Sequence, residues 1–339
     1  MDRRTVRVGL LLVALLVAVS AAPVAAAGAD PPAASLEKSE AVAAVGAETE
    51  PAVLDAAGRS GEALEAQDTA PRVDGYWMVD AGGGVIPFGG ATYYGEPASV
   101  GYTGYPDCSD QQLEQLGFCD MVIDIEATPS GEGYWLLDTE GFVWGFGDAP
   151  YLGDAGAVPM DPALSITSTA SGQGYWVFTL AGCVLTFGDA TWHGDMCGQP
   201  LNAGIVGSAV TPSGDGYYLL GSDGGVFSFG DAVFHGSTGS LVLNQPVVGM
   251  AVTATGGGYW LVATDGGVFA FGDAEFSGSM GGTPLNQPVI DLVGSPTGEG
   301  YLMVALDGGI FSFGDVPFHG SLGGLLLLNP ITSVATMGN

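Results

Sequence analysis

The stretch GYWLVATDGGVFAFGDAEFSG, residues 258–278, decides the fold of this chain because it recurs along the sequence. Related stretches begin at Gly75, Gly133, Gly174, Gly216 and Gly300, which makes six copies. Successive copies start 58, 41, 42, 42 and 42 residues apart. A period near forty residues, marked by aromatic and glycine positions, is typical of a solenoid or a propeller. The glycines therefore belong to a repeated structural unit rather than to a single active-site loop.

Each unit has the pattern of short antiparallel strands. PVVGMAVTAT, residues 246–255, is apolar and β-branched, and GYWLVAT and GVFAF follow it with Asp265-Gly266-Gly267 between them. Asp-Gly between two such runs predicts a tight hairpin, because glycine accepts the positive φ of the turn. AEFSG, residues 274–278, is a weaker candidate for a fourth strand. With no helical period in the unit, we predict a blade of three or four strands.

The two ends of the array predict that it closes into a ring. Every later unit begins with a strand about twelve residues before its GYW motif, as Pro246 precedes Gly258, but the first unit lacks one. PITSVATMGN, residues 330–339, has the pattern of such an opening strand with no blade after it. We therefore predict an all-β, six-bladed β-propeller in which the C-terminal strand completes the first blade and hides the exposed strand edges.

The chain divides into three regions by composition. Residues 1–27 have the basic, apolar and small-residue order of a signal peptide, although an uncleaved membrane anchor is the alternative. Residues 28–71 are rich in Ala, Glu and Pro and predict a disordered spacer, with a docked helix as the alternative. Residues 72–339 form the predicted propeller. We expect a secreted protein, extracellular or associated with the cell wall.

The charge of the chain limits its partners. The formal net charge is −31, and Lys38, Arg59 and Arg72 are the only basic residues after the signal peptide. A strongly negative field repels nucleic acid and anionic membrane surfaces. We therefore expect no nucleic acid, no membrane contact after signal cleavage, and a monomer that binds a protein or a glycan at the cell surface.

The repeat resembles a known type of blade. GYWLVATDGGVFAFGDAEFSGSM, residues 258–280, resembles the blades of the regulator of chromosome condensation, whose units share a DG.V..WG.N..G core. It is still more similar to repeat arrays of exported actinobacterial proteins, which often accompany cell-wall or polysaccharide-processing domains. The resemblance implies the repeat type and not the chromatin role, because this chain is exported and almost free of Lys and Arg.

The FGD motif places an aspartate at the same position in five of the six units, and Gly90 takes that place in the first unit. These aspartates are Asp148, Asp189, Asp231, Asp273 and Asp315. A ring of carboxylates could bind a cation, and calcium is the candidate. An aspartate that recurs in nearly every blade is better explained as an acceptor for turn amides. We therefore expect these residues to be structural and expect no cofactor.

Two further residue sets recur in the repeat. His193, His235 and His319 share one position just before a glycine, and their spread over the ring argues against a three-ligand zinc site. We expect them to lie on a solvent-facing loop. The Tyr and Trp residues of the GYW motifs are candidates for sugar platforms, but their fixed place in a strand predicts packing between blades.

Four cysteines fall into two local pairs, Cys108 with Cys119 and Cys183 with Cys197. Export makes disulfides plausible, and four cysteines permit three connectivities. Local pairing is our prediction because it links no distant blades, and free buried thiols are the alternative.

No catalytic signature is present: the chain lacks G-x-S-x-G, a Walker loop, H-E-x-x-H and EF-hand spacing. The leading hypothesis is an exported, non-catalytic interaction or scaffold module whose specific contacts lie in the insertion at residues 96–120, projecting from the rim between blades 1 and 2. The alternative is a polysaccharide hydrolase or lyase that uses carboxylates on one propeller face. A third hypothesis is packing into a surface layer.

Overall fold

The computed structural model describes residues 74–102, 120–156 and 161–337. This part of the chain is an all-β structure of six three-stranded antiparallel sheets, with one short 3-10 helix at Pro97–Val100. The predicted six-bladed β-propeller is confirmed, with three strands in each blade.

The strands of each blade take three positions, from the central axis outwards. The inner strands are β3 (Val122–Ala127), β6 (Ala163–Ser168), β9 (Ile205–Val210), β12 (Val247–Val252), β15 (Val289–Gly294) and β18 (Ile331–Thr336). The middle strands are β1 (Gly75–Asp80), β4 (Gly133–Asp138), β7 (Gly174–Thr179), β10 (Gly216–Gly221), β13 (Gly258–Ala263) and β16 (Gly300–Ala305). The outer strands are β2 (Val85–Gly89), β5 (Val143–Gly147), β8 (Val184–Gly188), β11 (Val226–Gly230), β14 (Val268–Gly272) and β17 (Ile310–Gly314).

The Asp-Gly-Gly sequence makes the hairpin between the middle and outer strands, as predicted. In the fifth blade, Gly266 has a φ of +75°, which a residue with a Cβ rarely adopts. The Asp265 carboxylate accepts a hydrogen bond of 3.0 Å from the Gly267 amide, and the Ala263 amide donates to the Gly267 carbonyl. The turn thus satisfies its own backbone groups while it fixes the register of β13 and β14.

The first blade is built from both ends of the propeller region. β18 pairs antiparallel with β1, with Trp77 opposite Ala335 and Tyr76 opposite Thr336, and β1 pairs in turn with β2. β18 also packs beside the inner strands β3 and β15, so the six inner strands follow one another around a cycle. The prediction that the C-terminal strand completes blade 1 is confirmed.

The weaker prediction of a fourth strand at residues 274–278 is wrong. This stretch belongs to a set of non-strand connections, here called the seam segments, that leave each outer strand. They are residues 90–95, 148–153, 189–194, 231–236, 273–278 and 315–320. In blade 5 the Trp260 indole donates to the Glu275 carbonyl at 2.7 Å, and the Tyr301 hydroxyl of the next blade donates to the Gly278 carbonyl. Side chains from two blades therefore take the hydrogen bonds that a fourth strand would have made along the ladder.

The core lies between the blades rather than inside one layer. The six GYW-type middle strands are buried, except for the half-buried Asp80 at the end of β1. At five of the six blade junctions a Trp or Tyr of one blade packs on the Tyr of the next, and Leu302 takes that place between blades 6 and 1. Trp260 and Tyr301 are an example, with ring centroids 5.5 Å apart. The prediction that these aromatics form blade-to-blade packing is confirmed, so they are not available as sugar platforms.

Candidate functional site

The FGD aspartates fix the loop between the inner and middle strands. In blade 4, Asp231 accepts hydrogen bonds from the hydroxyls of Thr211 (2.8 Å) and Ser213 (2.6 Å). Asp148, Asp189 and Asp273 make equivalent pairs of bonds, and Asp315 accepts from Thr297. The donors are hydroxyl groups, where the sequence had predicted turn amides.

These hydroxyl bonds have an electrostatic consequence. They lower the pKa of the Asp189, Asp231 and Asp273 carboxyls because they stabilise the charged form. Gly90, which replaces the aspartate in blade 1, donates its amide to the Asp74 carbonyl at 2.8 Å. Across the described part of the chain, no three His, Cys, Asp or Glu side chains cluster as metal ligands would.

The three histidines are half-buried between blades, which differs from the open loop position that the sequence had predicted. The backbone amides of His193, His235 and His319 donate to the hydroxyls of Tyr217, Tyr259 and Tyr76 in the following blades, at 3.0, 3.1 and 3.2 Å. The centroids of their imidazole rings lie 5.6 to 5.8 Å from the centroids of the same tyrosine rings. The structure thus gives the histidines a packing role between neighbouring blades.

One predicted disulfide is present. Cys183 and Cys197 are joined across 14 residues, which ties the hairpin of blade 3 to the chain that follows its seam segment. The pairing of Cys183 with Cys197 is confirmed, whereas Cys108 and Cys119 lie outside the described residues.

A second set of aromatics, which sequence reasoning missed, is exposed. Each seam segment presents one aromatic side chain at the same position, two residues before its last glycine. These rim aromatics are Tyr93, Tyr151, Trp192, Phe234, Phe276 and Phe318, and they are 47% to 61% exposed. Because the equivalent glycines pack on the next blade, the six rings occupy equivalent places around the propeller. A repeated aromatic that the core does not use is a candidate contact surface.

The rim aromatics of blades 1 to 3 differ from those of blades 4 to 6. In blades 1 to 3 an acidic residue stands three positions after the aromatic, and in blades 4 to 6 that position is serine. The acidic pairs are Tyr93 with Glu96, Tyr151 with Asp154 and Trp192 with Asp195; the serine pairs are Phe234 with Ser237, Phe276 with Ser279 and Phe318 with Ser321. The repeat has therefore diverged into two sectors, here called the polar sector and the phenylalanine sector.

The acidic groups of the polar sector are held against their aromatic partners. The Tyr151 hydroxyl donates to Asp154 at 2.6 Å, and the Trp192 indole donates to Asp195 at 3.3 Å. The hydrogen bond to Asp154 raises the pKa of Tyr151. Backbone amides two residues further on bind the second oxygen of each aspartate, from Gly156 at 3.2 Å and from Cys197 at 3.0 Å. Ring and carboxylate are thus fixed side by side.

A cavity of about 750 Å³ runs along the axis and is lined by the six inner strands. At the third position of these strands stand Asp124, Ser165, Gly207, Gly249, Asp291 and Ser333, in ring order. The carboxylates therefore occupy one side, and the glycines on β9 and β12 leave the other side without side chains at this level. The Ser333 hydroxyl lies between the two aspartates, 2.7 Å from Asp124 and 3.1 Å from Asp291.

Enclosure by the blades changes the acidity of this channel. Desolvation by burial, followed by the charge of Asp291, raises the pKa of Asp124 well above its usual value, and burial also raises that of Asp291. Burial raises the pKa of Glu126, two residues further along β3, to about 7. Glu126 accepts hydrogen bonds from the amide and hydroxyl of Ser168 at 2.8 and 2.9 Å. The channel therefore holds carboxyl groups that burial makes weaker acids than they are in water.

Sequence reasoning also missed the channel residues, although a weak signal exists. The inner strands VIDIEA and VIDLVG carry acids where VVGMAV and IVGSAV do not.

Of the predicted insertion at residues 96–120, the structure describes 96–102 and Asp120. In that part Tyr102 is half-exposed and lies edge-on to Trp144, with ring centroids 5.4 Å apart.

No protein-family profile matches this chain, and no curated protein matches it significantly. Within the described residues, no helix has the length and apolar character needed to span a bilayer.

Proposed function

We propose that this chain is an exported, non-catalytic six-bladed β-propeller that acts as a protein- or glycan-interaction module at the cell surface or outside the cell. The observation that carries the proposal is the ring of rim aromatics, one exposed ring per blade in a repeat whose other recurring aromatics are buried or partly buried. Aromatic side chains supply large contact area at low entropic cost, so they are common anchors of binding surfaces.

Other features support the same proposal. The repeat resembles the arrays of exported actinobacterial proteins and the blades of the regulator of chromosome condensation. A disulfide and a signal-like N-terminal sequence fit an oxidising compartment. All six Lys and Arg residues precede residue 73, so residues 74–337 carry no Lys or Arg side chain to attract a polyanion.

The test is retention of the purified chain on insoluble cell-wall material and on whole cells. We expect the wild type to bind and a variant with all six rim aromatics changed to alanine to lose most of that binding. A matched control changes two exposed aliphatic residues outside the seam segments, Leu241 and Val242, to alanine. Equal retention of the wild type and the six-alanine variant would exclude the rim as the contact surface.

A second candidate function is cleavage of a polysaccharide by hydrolysis or by elimination, as in a hydrolase or a lyase. The observation that favours it is the set of channel carboxyls, because an acid whose pKa is raised to about 7 suits general acid catalysis. The same incubations, scored for released sugar products, separate the two functions. Product release that Glu126→Gln abolishes while binding persists would support the second candidate, and binding without product would support the interaction module.

A further inference from the structure

The difference between the two sectors of the rim points to a ligand class. This step rests on the proposed function, in which the rim is the contact surface. All six rim positions expose a ring, but only blades 1 to 3 place a carboxylate beside it. These three blades are neighbours in the ring, so their three ring–carboxylate pairs form one continuous sector.

The chemistry of each pair fits a pyranose. An exposed aromatic face packs on the C–H face of a sugar, and a carboxylate accepts hydrogen bonds from the adjacent hydroxyls. In Tyr151–Asp154 and Trp192–Asp195 a backbone amide and the aromatic side chain already hold the carboxylate by hydrogen bonds. Binding of a ligand therefore costs little further side-chain entropy. The disulfide ends at Cys197, two residues from Asp195, and holds the third pair in place.

The negative charge of the polar sector narrows the class of ligand further. Each pair contributes a negative charge, and no Lys or Arg lies in residues 74–337 to neutralise it. Polymers that carry carboxylate, sulfate or phosphate groups would be repelled by this field. Neutral sugars meet no such penalty, since their hydroxyls are hydrogen-bond donors and carry no charge.

We propose that the polar sector, formed by Tyr93/Glu96, Tyr151/Asp154 and Trp192/Asp195, is a three-subsite binding surface for an uncharged polysaccharide. The subsites on adjacent blades act together, so a polymer that reaches several of them binds more tightly than one that reaches a single subsite. The phenylalanine sector takes no part in this recognition.

Trp192 offers a direct readout. The chain has six tryptophans, and the other five are at most 9% exposed, whereas Trp192 is 58% exposed. Collisional quenching by acrylamide therefore reports mainly on Trp192. The probes are cellohexaose, N-acetylchitohexaose and galactohexaose, with hexagalacturonate as the anionic control. We expect at least one neutral hexaose to protect Trp192 from quenching, and hexagalacturonate to leave the quenching unchanged.

Variants then locate the site by calorimetric titration with the hexaose that protects Trp192. Loss of one ring, as in Tyr151→Ala, is expected to weaken binding about threefold to tenfold, and loss of all three rings to abolish it. Asp154→Asn and Asp195→Asn keep the side-chain size and test the carboxylates, and we expect each to weaken binding. The matched control changes Phe234, Phe276 and Phe318 to alanine and should bind as the wild type does.

The outcomes are distinct. The inference is overturned if none of the three neutral hexaoses protects Trp192, if hexagalacturonate binds as well as they do, or if the phenylalanine-sector variant loses binding equally. If cell-wall retention still depends on the rim aromatics in any of these cases, the proposed function stands without this ligand class. If retention is also independent of the rim, both are wrong.

Discussion

The third residue of each inner strand shows how much a single position can vary in a repeat protein. It is Asp in two blades, Ser in two and Gly in two, while the surrounding strand keeps the same fold. Repetition in the sequence identified the aspartates of the FGD loops, whose hydroxyl partners are structural. The channel acids do not repeat around the whole ring, so a comparison of the repeats does not identify them.

The channel position of Glu126 predicts a pH dependence of stability. Its pKa is about 7 in the folded chain and near 4.5 when unfolded, so the folded state favours the protonated form. Protonation of Glu126 therefore contributes fully to the free energy of unfolding below pH 4.5. This contribution is lost as the pH rises through 7, which lowers the free energy of unfolding by up to about 3 kcal/mol. Glu126→Gln keeps the acceptor for Ser168 and removes the titration, so we expect its melting temperature to exceed that of the wild type at pH 8.

The measurement is calorimetric melting between pH 4.5 and 8. Glu275→Gln is the matched control, since Glu275 is exposed and its side chain lies in a seam segment. The advantage of Glu126→Gln over the wild type should grow across this range, while the control follows the wild type. A constant offset at every pH would contradict the raised pKa.

The strands and turns of a blade were predictable where neighbouring residues in the sequence specify them. Two apolar strand sequences and the Asp-Gly turn between them specify the hairpin within the 15 residues from Gly258 to Gly272, and the structure has it in that place. The seam segments were not predictable in this way. Their hydrogen bonds come from Trp260 in the same blade and Tyr301 in the next, so their conformation depends on contacts that only the assembled ring provides.

The pairing of β18 with β1 predicts that a deletion of residues 331–339 destabilises the whole propeller. Ile331, Val334 and Ala335 are at most 5% exposed, and burial of the two larger side chains contributes about 2 kcal/mol each. The deletion also leaves β1 with an open edge and removes Ser333 from between Asp124 and Asp291. We expect the cooperative melting transition to fall steeply or disappear, as followed by circular dichroism.

A shorter deletion of residues 338 and 339 serves as the control, because it leaves β18 intact. Addition of a peptide with the sequence of residues 330–339 should partly restore the transition of the longer deletion. Unchanged melting of that deletion would show that the first blade does not need its third strand.

At the scale of the molecule, the number of blades and the closing strand followed from the sequence because both depend on spacing, which survives substitution. The binding surfaces did not follow, since they depend on which side chains remain exposed after the blades have packed. Trp192 and Trp176 are both tryptophans in the same repeat, yet one is 58% exposed and the other 1%. Only the packed structure separates the ring that stabilises the fold from the ring that is free to bind.

The completion of blade 1 by β18 also has a consequence for how the chain matures. Thr332 and Val79, joined by a hydrogen bond of 3.2 Å, are 253 positions apart, and all the other blades lie between them. During synthesis, β1 and β2 emerge early and must wait for a partner made after blades 2 to 6. Throughout that interval the nascent chain carries an unpaired sheet edge, which is open to pairing with other chains. Protection by a chaperone therefore matters most during this period.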